Sequence, residues 1–182
     1  MKYYNKITLK NSKECIIRNA DEKDGKEMLD VFIQTHKETD NLLSVVEEIT
    51  FTAEEESKFL KEKAESENEI EIVALIDGRI VGSAGIEQAG KHIKTRHRAE
   101  FGIGILQECW GLGIGRELTK ICIEYAKKAG YEQLELEVVD DNERAIKLYK
   151  DLGFIEYGRN PRAFKSPING FQTLVLMRME IN

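Results

Sequence analysis

The chain has 182 residues, 41% of them hydrophobic, with two prolines and a formal charge of −6 from 27 basic and 33 acidic side chains. That balance predicts one globular domain over residues 1–182 and excludes a disordered or fibrous chain; the acidic excess, concentrated between Glu47 and Glu71, argues against nucleic acid as a partner. No apolar run is long enough to cross a bilayer, the opening segment lacks a signal-peptide core, and three cysteines without a CxxC pair fit a reducing cytoplasm.

In chain order, "CIIRNA" and "DEKDGKEMLDVFIQTHKE" predict a strand and a helix, with Asp21 as N-cap and Met28, Leu29, Phe32 and Ile33 on one face. "NLLSVVEEITFT" shows no clear period. "TAEEESKFLKEKAES" has Thr52 followed three residues later by Glu55, a capping box, and its acidic first turn is explained by the helix dipole. "IEIVALID", the pair Asp77-Gly78 and "RIVGSAGIEQA" form a hairpin signal, and after the polar "GKHIKTRHR" comes another strand, "AEFGIGIL". A helix follows in "GRELTKICIEYAKKAG", with Leu118, Ile121, Cys122, Tyr125 and Ala126 at helical spacing and Gly130 as its stop. "YEQLELEVVD" predicts a half-buried strand with Leu134, Leu136 and Val138 inward and Gln133, Glu135 and Glu137 on the other face. "DNERAIKLYKDLG" is a short helix capped by Asn142 or Asp141 and closed by Gly153. "FIEYGR" and "FQTLVLMRMEI" are the closing strands, and an exposed "FQTLVLMRM" could pair across a homodimer. The order β-α-α-β-β-β-α-β-α-β-β predicts an α/β fold with a mixed sheet and helices on its faces.

The most informative stretch is "LQECWGLGIGREL", residues 106–118, a glycine turn between a strand and a helix. Free amides and the helix dipole make such a junction an anion site, and glycines let a phosphate approach the backbone. A nucleoside triphosphate loop needs a lysine and a hydroxyl where Arg116 and Glu117 stand. A dinucleotide loop needs GxGxxG, from which the last glycine is displaced here.

The third phosphate ligand is coenzyme A, and here the sequence resembles the GNAT superfamily of N-acetyltransferases. The signature Gln/Arg-x-x-Gly-x-Gly/Ala fits Trp110 to Gly115 except at its first position. "NERAIKLYKDLGF" resembles a second element of the superfamily at Asn142, Ala145, Tyr149, Gly153 and Phe154. The resemblance implies a GNAT-like mixed, mostly antiparallel twisted sheet with helices on both faces, with acetyl-CoA as co-substrate and no metal. It implies that backbone groups of Ile103, Gly104 and Ile105 hold the pantetheine, that the turn Trp110, Gly111, Leu112, Gly113, Ile114, Gly115 and Arg116 holds the pyrophosphate, and that Asn142 bonds the pantetheine arm.

By the same resemblance, Tyr149 protonates the leaving thiolate and Glu100 takes a proton from the amine. The competing structural readings are a core aromatic for Tyr149 and an exposed edge residue balancing Arg96 and Arg98 for Glu100. His36, His92 and His97 are too scattered for a metal site, and Cys109 has no readable base, which favours direct transfer within a ternary complex. The resemblance places the amine acceptor at "HKETDNLLSVVEEITF" and "RNPRAFKSPING". Glu38, Asp40, Glu47 or Glu48 would suit a cationic amine, whereas Arg159, Arg162 and Lys165 would suit a carboxylate or the CoA 3′-phosphate. A catalytically silent acyl-CoA-binding or sensor domain is the other functional reading.

Overall fold

The computed structural model describes residues 2–181. A hairpin opens the chain, β1 (Tyr4–Thr8) and β2 (Glu14–Asn19), followed by α1 (Gly25–Glu38) and α2 (Ala53–Glu65). Three antiparallel strands follow, β3 (Ile70–Ile76), β4 (Arg79–Gln88) and β5 (Arg98–Ile105), then α3 (Ile114–Lys128), β6 (Gln133–Val139), α4 (Glu143–Asp151), β7 (Ile155–Ser166) and β8 (Gly170–Glu180). They build one eight-stranded sheet in the order β1-β2-β3-β4-β5-β6-β8-β7. Every neighbouring pair is antiparallel except β5 with β6.

Several local signals act as the sequence suggests. Thr52 and Glu55 form a capping box on α2, Asp77 and Gly78 turn the β3–β4 hairpin with φ of 52° and 81°, and Gly130 and Gly153 end α3 and α4 at positive φ. Asn142, not Asp141, caps α4, its side chain accepting from the Ala145 N–H. The ambiguous segment before α2 is loop with a single 3-10 turn at Val46–Glu48.

Four expectations need correction. Strand β1 has no sequence signal, because Tyr4–Thr8 is an edge strand with mostly exposed side chains and so carries no buried alternation. On α1 the buried face is Gly25, Met28, Val31 and Thr35; Leu29 and Ile33 are only half-buried and Phe32 lies at the rim against Phe51. Asp21 caps a 3-10 turn, Glu22–Asp24, that leads into α1 rather than α1 itself. Finally, the strand read as "FIEYGR" continues through "NPRAFKS" as β7, whose register shifts accommodate Pro161 on the sheet edge. Since β7 takes the edge, β8 is enclosed between β6 and β7 and has no free side to offer a second copy.

The two sheet faces are covered by different helices. A Cβ on Gly104 would lie 3.7 Å from Thr35 Oγ1 on α1, while one on Gly115 in α3 would lie 3.4 Å from Ile105 Cδ1. Alternate residues of β5 therefore face α1 or α3. The pairings Glu71 with Gly85, Gly85 with Gly102, Glu87 with Glu100 and Glu100 with Glu135 put a row of carboxylates on the α1–α2 face. Lys63 of α2 is buried over this row and donates to Glu69 at 2.8 Å and bridges to Glu87 at 2.9 Å. Glu71 has no such cation. Burial pushes its carboxyl up to about 7, with Glu56 reinforcing and a Ser83 hydrogen bond opposing the shift.

A raised carboxyl means that the folded chain holds a proton the unfolded chain has released. This contribution is complete below the ordinary value of 4.5 and is lost as pH rises through about 7. Glu71→Gln is expected to raise stability by roughly 1–2 kcal/mol at alkaline pH and to change little under acid conditions. Urea unfolding at both pH values checks this, and an equal gain at both would contradict it.

Candidate active site

Strands β5 and β6 pair only through Arg98 with Gln133, Ala99 with Leu134 and Glu100 with Glu135, and then diverge. The Arg98 guanidinium bridges to the buried Glu135 carboxylate across this last pairing, and holds that carboxyl below its ordinary range. Glu135 was expected on a solvated face. Its burial is possible because Arg98 and the Gln133 amide satisfy it.

Beyond the fork, each strand keeps its outer partner, β5 along β4 and β6 along β8, and the sheet stays open at its centre. A cleft of about 880 Å³ occupies the opening. The Arg98 carbonyl and the Leu106 N–H both bond on the β4 side, so by strand alternation the backbone groups of Phe101, Ile103 and Ile105 face the cleft. Gly104 turns its backbone to β4 and contributes instead an absent side chain, which keeps the space beside Thr35 clear.

At the outer end lies the glycine turn. Gly111 and Gly113 have φ of 79° and 102°, a region that other residues enter only with strain, and a Cβ on either would meet nothing within 4 Å. The glycines are thus needed for backbone direction, and the space in front of them is open. Gly113 is the N-cap of α3 and supplies no side-chain bond, whereas Thr52 and Asn142 cap α2 and α4. Among the described residues, no acceptor is found for any N–H from Gly111 to Arg116. An uncapped helix start with these amides free, opening into a cleft, is a site for an anion.

Of the residues that the sequence associates with the cofactor, Leu112 alone lies off the cleft: its side chain packs on the core and its carbonyl accepts from the Lys10 N–H. Asn142 lines the cleft with its oxygen already committed to the helix cap, which leaves its amide N–H groups to donate. Trp110 donates its indole N–H to the Ile105 carbonyl at 2.7 Å, and Arg144 of α4 lies over its ring at 4.0 Å.

Tyr149 is buried on α4, with its ring edge-on to Phe101 and Phe154 at centroid distances of 6.1 and 5.8 Å. The ring packs in the core, as the structural reading expects; the residue also lines the cleft, and its hydroxyl has no hydrogen-bond partner among the described residues. Burial drives its pKa well above the ordinary 10.0, so the hydroxyl stays protonated. Glu100 comes from the opposite face of the sheet into the same opening. It has no ion-pair partner among the described residues; Arg98, expected to balance it, is held by Glu135. Burial, then the charges of Glu135 and Glu137, raise its pKa above 4.5.

The acidic and basic groups suggested for the acceptor do not line this cleft. Glu38 accepts from the Gln107 N–H, Asp40 from the side chains of Asn169 and Gln172, and Glu48 from the Val45 N–H, while Glu47 lies off the cleft. Arg159 pairs with Glu156, and Arg162 and Lys165 lie over Phe171. The inner end is lined instead by Thr39, Leu42, Leu43, Glu137, Tyr157 and Phe164. Of these, Glu137 and Tyr157 were readable as strand residues, but nothing in the sequence indicated that the sheet opens beside them. Among the described residues no cluster of His, Cys, Asp and Glu could hold a metal ion, and no helix is long and apolar enough to cross a membrane.

The split sheet and its uncapped turn define the acetyltransferase class described as the Acetyltransferase (GNAT) family, whose profile matches residues 36–154. This chain belongs to that family and is an N-acetyltransferase. It is 31% identical over 108 residues to N-alpha-acetyltransferase 30 of Schizosaccharomyces pombe, covering 59% of this chain and 71% of that one. The crystal structure of a GNAT-family acetyltransferase from Streptococcus pneumoniae superposes with a TM-score of 0.86 at 31% identity, covering 92% of this chain and 99% of that one. A putative acetyltransferase from Salmonella typhimurium, solved with its cofactor acetyl-CoA, shares the fold with a TM-score of 0.82 at 18% identity, covering 92% and 94%.

Replacing Gly113 by valine forces a β-branched residue to a φ of 102° and turns the amides away from the cleft. Gly113→Val is expected to weaken acetyl-CoA binding at least about tenfold, measured by calorimetry on protein whose circular dichroism is unchanged. Retained affinity would remove the turn from the cofactor site.

Proposed function

We propose that the protein transfers an acetyl group directly from acetyl-CoA to a primary amine, whether a small-molecule amine, an amino acid or a protein N-terminus, within a ternary complex. The observation that carries this reading is the opened sheet. It exposes free backbone groups in the middle of the fold and lets Glu100 and Tyr149, from opposite faces, reach one space that ends at the turn, where the amides of Gly111, Gly113, Ile114, Gly115 and Arg116 have no acceptor among the described residues.

Each chemical demand then has a group. The amides at the start of α3 hold the pyrophosphate, and the cleft-facing backbone of Ile103 and Ile105 pairs with the pantetheine. Asn142 donates from its amide to that arm. A backbone N–H on β5 aimed at the acyl oxygen stabilises the charge that develops there. Glu100, ionised, takes the proton from the incoming ammonium, directly or through one water. Tyr149, protonated before the reaction, gives its proton to the sulfur as the C–S bond breaks, and the second proton shed by the attacking nitrogen restores the hydroxyl through solvent. Cys109 also lines the cleft, but burial raises its thiol pKa, the opposite of what a nucleophile needs, and this supports direct transfer over an acyl-enzyme. The relative named for N-α-acetylation supports an α-amine among the candidate acceptors.

Tyr149→Phe removes only the hydroxyl and is expected to lower the turnover number by about a hundredfold while leaving acetyl-CoA affinity unchanged. Thiol release across an amine panel measures this; binding without turnover by the unsubstituted protein on every amine would favour the sensor reading. A base must be deprotonated to act, so activity should fall with acidification through the raised pKa of Glu100. Glu100→Gln should lower the plateau rate and abolish that acid limb, and a surviving limb would assign it to another group.

A further inference from the structure

The first position of the glycine signature, where the family carries Gln or Arg, is Trp110, which has no charge to offer a phosphate. The fold supplies a cation there from elsewhere in the chain. Arg144, in the first turn of α4, places its guanidinium carbon 4.0 Å over the Trp110 ring. The ring is itself fixed by the 2.7 Å bond from its N–H to the Ile105 carbonyl, the last cleft-facing carbonyl of β5. Stacking on an indole face occupies the flat side of a guanidinium and leaves the N–H donors at its rim available.

The other cations lining the cleft help to single out Arg144. Arg116 and Lys147 both bridge to the one Asp151 carboxylate, at 3.0 Å each, so both side chains are drawn to an acidic partner although together they keep a net positive charge. Lys10 belongs to the β1–β2 turn and is not held by any other side chain. Arg144 has no carboxylate partner among the described residues, yet it is held beside the free amides that begin at Gly111.

We infer that Arg144, positioned by Trp110, binds the pyrophosphate of the cofactor and supplies in space the polar hydrogen-bond donors that a Gln or Arg would supply at the position of Trp110. The inference rests on the cofactor reading given above. Arg144 is the binding residue and Trp110 its positioning residue. The planar fork of an arginine can bond two phosphate oxygens at once, which a lysine cannot reproduce.

Calorimetric titration with CoA and with 3′-dephospho-CoA tests this on the full chain and on the variants Arg144→Gln, Arg144→Lys, Trp110→Leu, Trp110→Phe and the double variant Trp110→Leu with Arg144→Gln. Arg144→Gln is expected to weaken both ligands alike by about tenfold, the loss of one charge-assisted contact. Arg144→Lys should recover part of the loss. Trp110→Phe, which keeps a ring but not the N–H, should cost less than Trp110→Leu, and the double variant should lose less than the product of the two single losses. Wild-type affinity in Arg144→Gln would overturn the inference, as would a loss seen with CoA but not with 3′-dephospho-CoA, which would move the contact to the 3′-phosphate. Independent losses in the double variant would overturn the positioning role of Trp110. If the unsubstituted protein bound neither ligand, by heat or by fluorescence of its single tryptophan, the cofactor reading itself would fail and this inference with it.

Discussion

The site depends on a strand pairing that stops. Beyond Glu100 and Glu135, β5 and β6 share no hydrogen bonds, although both run on through the middle of the sheet. Backbone donors and acceptors left unpaired in a protein interior are costly, and they persist only where something else satisfies them. Here the Trp110 indole covers the Ile105 carbonyl, and the remaining groups face a cleft in which an extended ligand arm can take the place of the missing strand. The Arg98–Glu135 bridge crosses the last pairing and fixes the point from which the strands separate.

The chemistry follows from this geometry. In a continuous sheet, Glu100 and Tyr149 would lie on opposite faces, separated by the backbone layer. Because the layer is interrupted, a carboxylate from the α1–α2 face and a phenol from the α3–α4 face line one cavity. Their environments shift them in complementary ways. Glu100, partly desolvated and then repelled by Glu135 and Glu137, with no ion-pair partner among the described residues, holds its proton more readily than a glutamate free in water. Tyr149, enclosed by Phe101 and Phe154, cannot ionise near neutrality. One group is shifted towards holding a proton and the other keeps its own, the directions that the proposed base and acid roles require.

The carboxylate row on the α1–α2 face shows how the same sheet serves stability and function by different means. Lys63 is shared by Glu69 and Glu87, and Arg98 pairs with Glu135. Glu71 is left beneath α2 and takes up a proton, whereas Glu100 is left at the cleft. The cations are thus placed where the charges serve packing, and the unpaired carboxylate is found where a ligand enters.

By itself the sequence determined the elements whose signals are local. The helix caps at Thr52 and Asn142, the Asp77-Gly78 turn, the buried stripe of α3 and the glycine turn depend on residues a few positions apart, and their energies favour the same structure in any surroundings. The resemblance at Trp110–Gly115 and Asn142–Phe154 likewise identified the turn and the tyrosine from short motifs. Tertiary structure alone decided what depends on distant partners: β1 as an exposed edge, the enclosure of β8, and the divergence of β5 from β6. It also decided the pairings Arg98–Glu135 and Trp110–Arg144, which join residues more than thirty positions apart. Solvation explains why the charged acceptor candidates lie off the cleft, because carboxylates such as Glu38 and Asp40 are drawn to backbone and side-chain donors that only the folded chain brings near them, while the same segments line the cleft with Thr39, Leu42, Leu43 and Phe164.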